Sequence, residues 1–105
     1  MNALNFIGGV FVDAHDGGTI ANINPATGET IGTITRSNKA DVEAAVQASR
    51  LAQNEWSTLT LLERADWLDL LADGLEQRKE ELAQRESKDT GKPLALARRV
   101  DAQRS

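Results

Sequence analysis

A chain of 105 residues holds one domain at most, and it buries a core with only a thin margin. Apolar residues make up 40%, which excludes wholesale disorder, but aromatics are only 4% with no Tyr, so the core must come from Leu, Ile, Val and Ala. The net charge of −4 argues against a nucleic-acid partner, and zero Cys excludes disulfides, thiolate nucleophiles and Cys-type zinc sites. The opening residues carry neither the basic region nor the apolar stretch of a signal peptide. No apolar run approaches the ~20 residues of a membrane span. A cytoplasmic chain with no membrane partner is the expectation.

Residues about 5–35 read as short strands in two hairpins. In Phe6-Ile7-Gly8-Gly9-Val10-Phe11-Val12, Gly-Gly separates two apolar arms, as a tight turn with positive φ requires. Asp16-Gly17-Gly18 is a second break. The β-branched runs Thr19–Ile23 and Glu29–Ile34 flank Asn24-Pro25-Ala26-Thr27-Gly28, where Pro25 fixes a type I turn and Gly28 takes the αL position.

Residues about 38–104 read as three to four helices. Ser37 or Asn38 caps the first, which runs to about Asn54. Its residues Val42, Ala45, Val46, Ser49 and Ala52 form a narrow face suited to packing on a sheet. Thr60-Leu61-Leu62-Glu63 has the form of a capping box. Leu61, Ala65, Leu68, Ala72, Leu75 and Leu82 then follow at steps of three, four or seven and form a candidate core stripe. Full burial would be worth about 1.5–3 kcal/mol per Leu. The mixed run Glu76–Glu81 is a solvated helix face or a turn between helices. Gly91 and Pro93 stop the helix before them, and a last helical pattern, Leu94 to Arg104, ends without a cap.

Candidate chemistry is sparse. Thr90-Gly91-Lys92-Pro93 has Glu86 and Pro93 where a phosphate loop needs Gly and Ser or Thr. Asp89-Thr90-Gly91 has the tripeptide of aspartic proteases but follows a helical stretch, so a helix C-terminus is the simpler reading. His15, the one histidine, sits in a Gly-rich turn and reads as exposed. Trp56 and Trp67 sit among apolar helix residues and read as core or partner packing. The fingerprint G-x-G-x-x-G does not occur. The residues alone therefore support an acidic α/β or mainly helical domain with no recognisable active site.

An ordered set of segments resembles the aldehyde dehydrogenase superfamily. Phe6–Val12 resembles its opening strand pair, and Asn24-Pro25-Ala26-Thr27-Gly28-Glu29 its early turn. Asp41–Val46 with Ala48 and Trp56 resembles the first helix. Glu63-Arg64 with Leu68, and Glu86–Pro93, resemble the next two. Glu86–Asp89 with Leu94–Arg98 looks most like the hydroxymuconic and aminomuconic semialdehyde dehydrogenases. The resemblance implies that residues 1–105 are a partial N-terminal segment of a Rossmann-like NAD domain, whose parent uses NAD or NADP to oxidise an aldehyde to an acid. The family's nucleophilic Cys, general-base Glu and oxyanion Asn have no counterpart here, so this chain alone is expected to be inactive and to bind no cofactor. It also implies a monovalent cation at Asn22, Ile23 and Asp89, since oxygen ligands suit a hard cation. The expected partners are the remainder of the dehydrogenase subunit, or further copies joined through exposed apolar helix faces. The alternative is an independent helical interaction module joined through Leu61, Leu68, Leu75 and Leu82.

Overall fold

The computed structural model describes residues 2–101. Five short strands precede the helices: β1 (Asn2–Ala3), β2 (Asn5–Ile7), β3 (Val10–Val12), β4 (Thr19–Ile23) and β5 (Thr30–Thr35). The helices are α1 (Lys39–Trp56), α2 (Leu61–Gln77), α3 (Lys79–Thr90) and the single turn α4 (Leu94–Leu96), which runs into a π-helical segment, Ala97–Asp101. The class is the expected α/β, strands first and helices after. The chain divides into two compact units, Met1–Asn22 with Gly32–Thr60, and Ile23–Ile31 with Leu61–Ser105.

The first unit is built around glycine turns and one capped helix. β2 and β3 pair antiparallel, with Phe6 opposite Phe11, and Gly8 and Gly9 turn between them at φ 61° and 85°. Both angles lie in the left-handed region that a two-residue hairpin turn demands. The three-stranded sheet has the order β1-β5-β4, with β1 parallel to β5 through Asn2 opposite Thr33 and Ala3 opposite Ile34. β1 was not anticipated. Two residues carry no periodicity, and their pairing partner lies 31 residues away. The Asn2 side chain supports that pairing by accepting from the Thr33 N–H and hydroxyl, at 3.3 and 3.1 Å.

Asn38, one of the two anticipated caps, starts α1. Its Oδ1 accepts from the N–H of Ala40 at 2.9 Å and of Asp41 at 3.3 Å. The helix runs two residues beyond the expected end. The face anticipated to pack on a sheet is largely uncovered: Val42 and Val46 are 58% and 46% exposed. Within this unit α1 meets chiefly the hairpin strand β2, which leaves Val42 and Val46 open among the described residues.

In the second unit, the turn between β4 and β5 forms as read. The Asn24 side chain accepts from the Ala26 N–H at 2.9 Å, its carbonyl accepts from the Gly28 N–H at 2.8 Å, and Gly28 sits at φ 75°. α2 begins one residue after Thr60. It ends at Gln77, because Arg78 departs from helical geometry at φ −103°, ψ 12°. Arg78, within the run Glu76–Glu81, is therefore the break between two helices, and the rest of the run forms their ends. The core stripe read along residues 61–82 is corrected here on two counts. Leu82 lies on α3 rather than α2, and α2 buries no residue, with Leu61 80% and Leu68 56% exposed. Trp67, read as core or partner packing, is 59% exposed, which removes the core reading.

α3 ends where expected, on Gly91 in the αL conformation, whose N–H donates to the Ser87 carbonyl at 3.0 Å. Ala83 of α3 and Ala97 of the π-helical segment are fully buried against each other, with Leu94 packed on them. The last helical pattern continues through Asp101, and its expected stretch to Arg104 reaches outside the described residues.

Candidate functional site

The most constrained polar group in the first unit is Asp41. It is 7% exposed, and its carboxylate joins two segments. Oδ1 accepts from the His15 backbone N–H and Oδ2 from the Asn38 backbone N–H, both at 2.8 Å. The second bond completes a reciprocal capping box with Asn38, and the first ties the Ala14–Gly17 turn to the start of α1. This role was not read from the sequence. The available signal was an acidic residue three places after an Asn cap; the partner 26 residues away had none. His15 itself is exposed, as expected, and only its backbone N–H is used in this contact. Asp16, in the same turn, has its carboxyl below the usual range, chiefly because it accepts the Gly18 N–H.

In the second unit, Thr90-Gly91-Lys92-Pro93 is a helix stop held by its own hydrogen bonds. The Ser87 hydroxyl donates to the Lys92 carbonyl at 2.7 Å, and the Lys92 ammonium pairs with Glu86 at 3.6 Å. The element before it is α3, so neither the phosphate-loop nor the protease-loop context exists. Glu80 and Arg98 form a two-pronged ion pair, Nε to Oε2 at 2.8 Å and Nη2 to Oε1 at 2.6 Å. The pair holds the Glu80 carboxyl at about 2. Its sequence separation hid it from pattern reading.

Of the expected cation residues, Asn22 and Ile23 end β4 and Asp89 is the penultimate residue of α3. Asn22 belongs to the first unit, Ile23 and Asp89 to the second. Among the described residues, no group of three or more His, Cys, Asp or Glu side chains could hold a metal. The pyrophosphate of a nicotinamide dinucleotide needs free N–H groups at a helix start, and at the start of α1 the N–H groups of Ala40 and Asp41 already donate to the Asn38 side chain beside the Asp41 carboxylate. Among the described residues, no helix is long and apolar enough to cross a membrane.

What the two units do offer is uncovered apolar surface. The first presents Phe6 (64% exposed) and Phe11 (71%) as a tilted ring pair with centroids 5.0 Å apart, beside Val10, and Val42 and Val46 along α1. The second presents Leu61, Leu62, Trp67, Leu68, Leu70 and Leu71 along α2. Exposed apolar surface is a common feature of interaction sites.

Comparison with known proteins gives the context for these faces. Residues 11–105 match the model of the aldehyde dehydrogenase family. The chain belongs to the aldehyde dehydrogenase family. It is 48% identical over 101 residues to a 2-aminomuconic semialdehyde dehydrogenase of Mus musculus, covering 96% of this chain and 20% of that protein. It is 41% identical to a 2-hydroxymuconic semialdehyde dehydrogenase of Pseudomonas sp. (strain CF600), covering 95% of this chain and 21% of that one. Its fold matches the crystal structure of PnpE in complex with nicotinamide adenine dinucleotide at a TM-score of 0.94 and 43% identity, over 99% of this chain and 21% of PnpE. The chain thus spans about a fifth of the relatives it matches, at their N-terminal end.

Proposed function

We propose that this chain serves as the N-terminal segment of an NAD(P)-dependent semialdehyde dehydrogenase subunit, whose parent oxidises an aldehyde to a carboxylic acid. The observation that carries this reading is the near-complete match of the chain to about a fifth of such enzymes, joined to apolar faces left open in both units. The NAD complex of PnpE supports the cofactor of the parent. The names of the mouse and Pseudomonas relatives support a semialdehyde substrate.

The segment by itself is catalytically silent. Covalent aldehyde oxidation needs a thiolate to attack the carbonyl carbon, and the chain contains no Cys. Its contribution is structural: the hairpin, α1 and α2 supply surface against which the rest of the subunit folds. The test is direct. The purified chain, given NAD and an aldehyde, is expected to form no NADH; NADH formation would refute the silent-segment reading.

The cation reading at Asn22, Ile23 and Asp89 is kept on the family resemblance, with the Asp89 carboxylate as its one charged ligand. The interaction-module reading loses its four-leucine seam, since Arg78 interrupts the helix before Leu82. Self-association through Leu61, Leu68 and Leu75 of α2 remains the competing reading. Sedimentation of the purified chain tests it, a monomer counting against it.

A further inference from the structure

The chain after α3 turns back along it. Glu80, Ala83 and Ser87 follow on α3 at steps of three and four, so they share one face. Their partners come in reverse order. The Ser87 hydroxyl donates to the Lys92 carbonyl at 2.7 Å, Ala83 is buried against Ala97, and Glu80 binds Arg98. Residues 92–98 therefore form a strap that runs antiparallel to α3 and meets it at three points.

The helical pairing of this strap changes at one place. The Ala97 N–H donates four residues back, to the Pro93 carbonyl at 3.1 Å, whereas Ala97–Asp101 is π-helical, with pairing five residues back. The change falls between the buried packing point, Ala97, and the clamped residue, Arg98. Nothing local calls for it. Ala97-Arg98-Arg99-Val100-Asp101 holds no Gly or Pro, and Ala and Arg are strong α-helix formers. π-Helix is rare and recurs at functional sites, so the cause is to be sought in a contact from outside the segment.

Glu80 makes that contact. Adjacent side chains of an α-helix diverge by about 100°. A π turn closes its hydrogen bond one residue later and narrows that angle, which brings Arg98 round toward the side on which Ala97 is buried. There its guanidinium meets Glu80 with two prongs, at 2.8 and 2.6 Å, and the Gln84 side-chain amide donates to Glu80 Oε1 at 3.0 Å. Single exposed ion pairs contribute little; a two-pronged pair within a network is the exception.

We infer that the Glu80–Arg98 clamp is a register lock on the strap. Closed, it holds Ala97–Asp101 in the π form. Open, it lets the segment pass to α-helical pairing while Ala97 stays packed on Ala83, and Arg99 and Val100 turn about the segment axis. The device belongs to the second unit alone and does not depend on what the parent enzyme oxidises.

The experiment reads NMR couplings across hydrogen bonds in the isotope-labelled 105-residue chain. In the unaltered chain the Asp101 N–H is expected to couple to the Leu96 carbonyl, five residues back. In Glu80→Ala and in Arg98→Gln the coupling is expected to move to the Ala97 carbonyl, four back, with the amide shifts of α3 otherwise preserved. The double variant Glu80→Arg with Arg98→Glu exchanges the charges of the pair and is expected to restore the coupling to Leu96. Arg98→Lys keeps the charge but cannot make two prongs. It serves if either single variant loses α3, and is expected to move the coupling in the same direction. A coupling to Leu96 that survives the loss of the clamp would overturn the inference, and so would an unaltered chain that couples to Ala97. Loss of both couplings in the variants, with α3 intact, would make the clamp a tether that fixes no register and would overturn it as well. A double variant that stays coupled to Ala97 would trace the change to the substitutions themselves, with the same consequence.

Discussion

Asp41 offers the sharpest test of how the first unit is held together. Replacing it by Ala removes both acceptors, one for the Asn38 N–H and one for the His15 N–H. A hydrogen bond to a charged group contributes about 1.5–3 kcal/mol. The Asn38 bond stands at a helix start, where a lost cap costs typically about 1 kcal/mol because water can substitute. The His15 bond belongs to a half-buried contact and stands nearer the middle of the range. Together the two give a loss of about 2.5–4 kcal/mol for Asp41→Ala. Asp41→Asn preserves shape but offers one oxygen and turns an NH2 toward the second N–H. It therefore recovers one bond at most, leaving a loss of about 1.5–2 kcal/mol. Trp56 ends α1 and reports on this unit, so urea unfolding is followed by its fluorescence with Trp67 replaced by Phe. With a urea dependence near the low end for small chains, about 1 kcal/mol per molar, Asp41→Ala shifts the midpoint down by about 2.5–4 M. A shift below about 0.3 M, or Asp41→Asn behaving as the parent, would refute the assignment of both bonds to structure.

Three further outcomes are expected. Gly91→Ala forces an L residue to φ 73° and sets its Cβ 3.0 Å from Pro25 Cγ and 3.4 Å from the Ala26 N; a loss of about 2 kcal/mol is expected in a thermal melt followed by circular dichroism. The Glu80 carboxyl is depressed to about 2 by Arg98, so its contribution is complete above about pH 4.5 and fades as pH falls toward 2. An NMR titration should place the Glu80 inflection at about 2, and Arg98→Gln should return it toward the ordinary carboxylate range. For the cation reading, potassium is expected to raise the melting temperature of the chain relative to tetramethylammonium at equal ionic strength. Asp89→Asn should abolish that difference, and an equal response in both forms would remove Asp89 from the reading.

What the sequence made legible follows the range of the interaction that sets each feature. Gly8-Gly9, Asn24–Gly28, Asn38 and Gly91 act within five residues of themselves, and each turn or cap stands where pattern reading placed it. The pairing of β1 with β5, the His15–Asp41 bond and the Glu80–Arg98 clamp join residues at least 18 apart and left no local trace.

Burial was the least legible property, and the reason is physical. Periodicity reports which residues of a helix want to leave water; it does not report whether the surface that receives them is present in the same chain. The stripe on α2 and the Val42–Val46 face of α1 are real periodicities, and both stand open to solvent. Among the described residues the buried apolar side chains are Ala14, Ala83 and Ala97, each contributing about one methyl of burial. Methyl-sized contacts of that kind position helices without fastening them. Local caps and turns therefore carry much of what holds each unit, and the open apolar faces add stabilisation only when something covers them. Amide exchange should accordingly be fast along α2 in the isolated chain and slow once the complementary part of a dehydrogenase subunit is bound. If α2 is already strongly protected alone, the periodicity is satisfied by this chain itself, and the argument from its open faces to a missing partner fails.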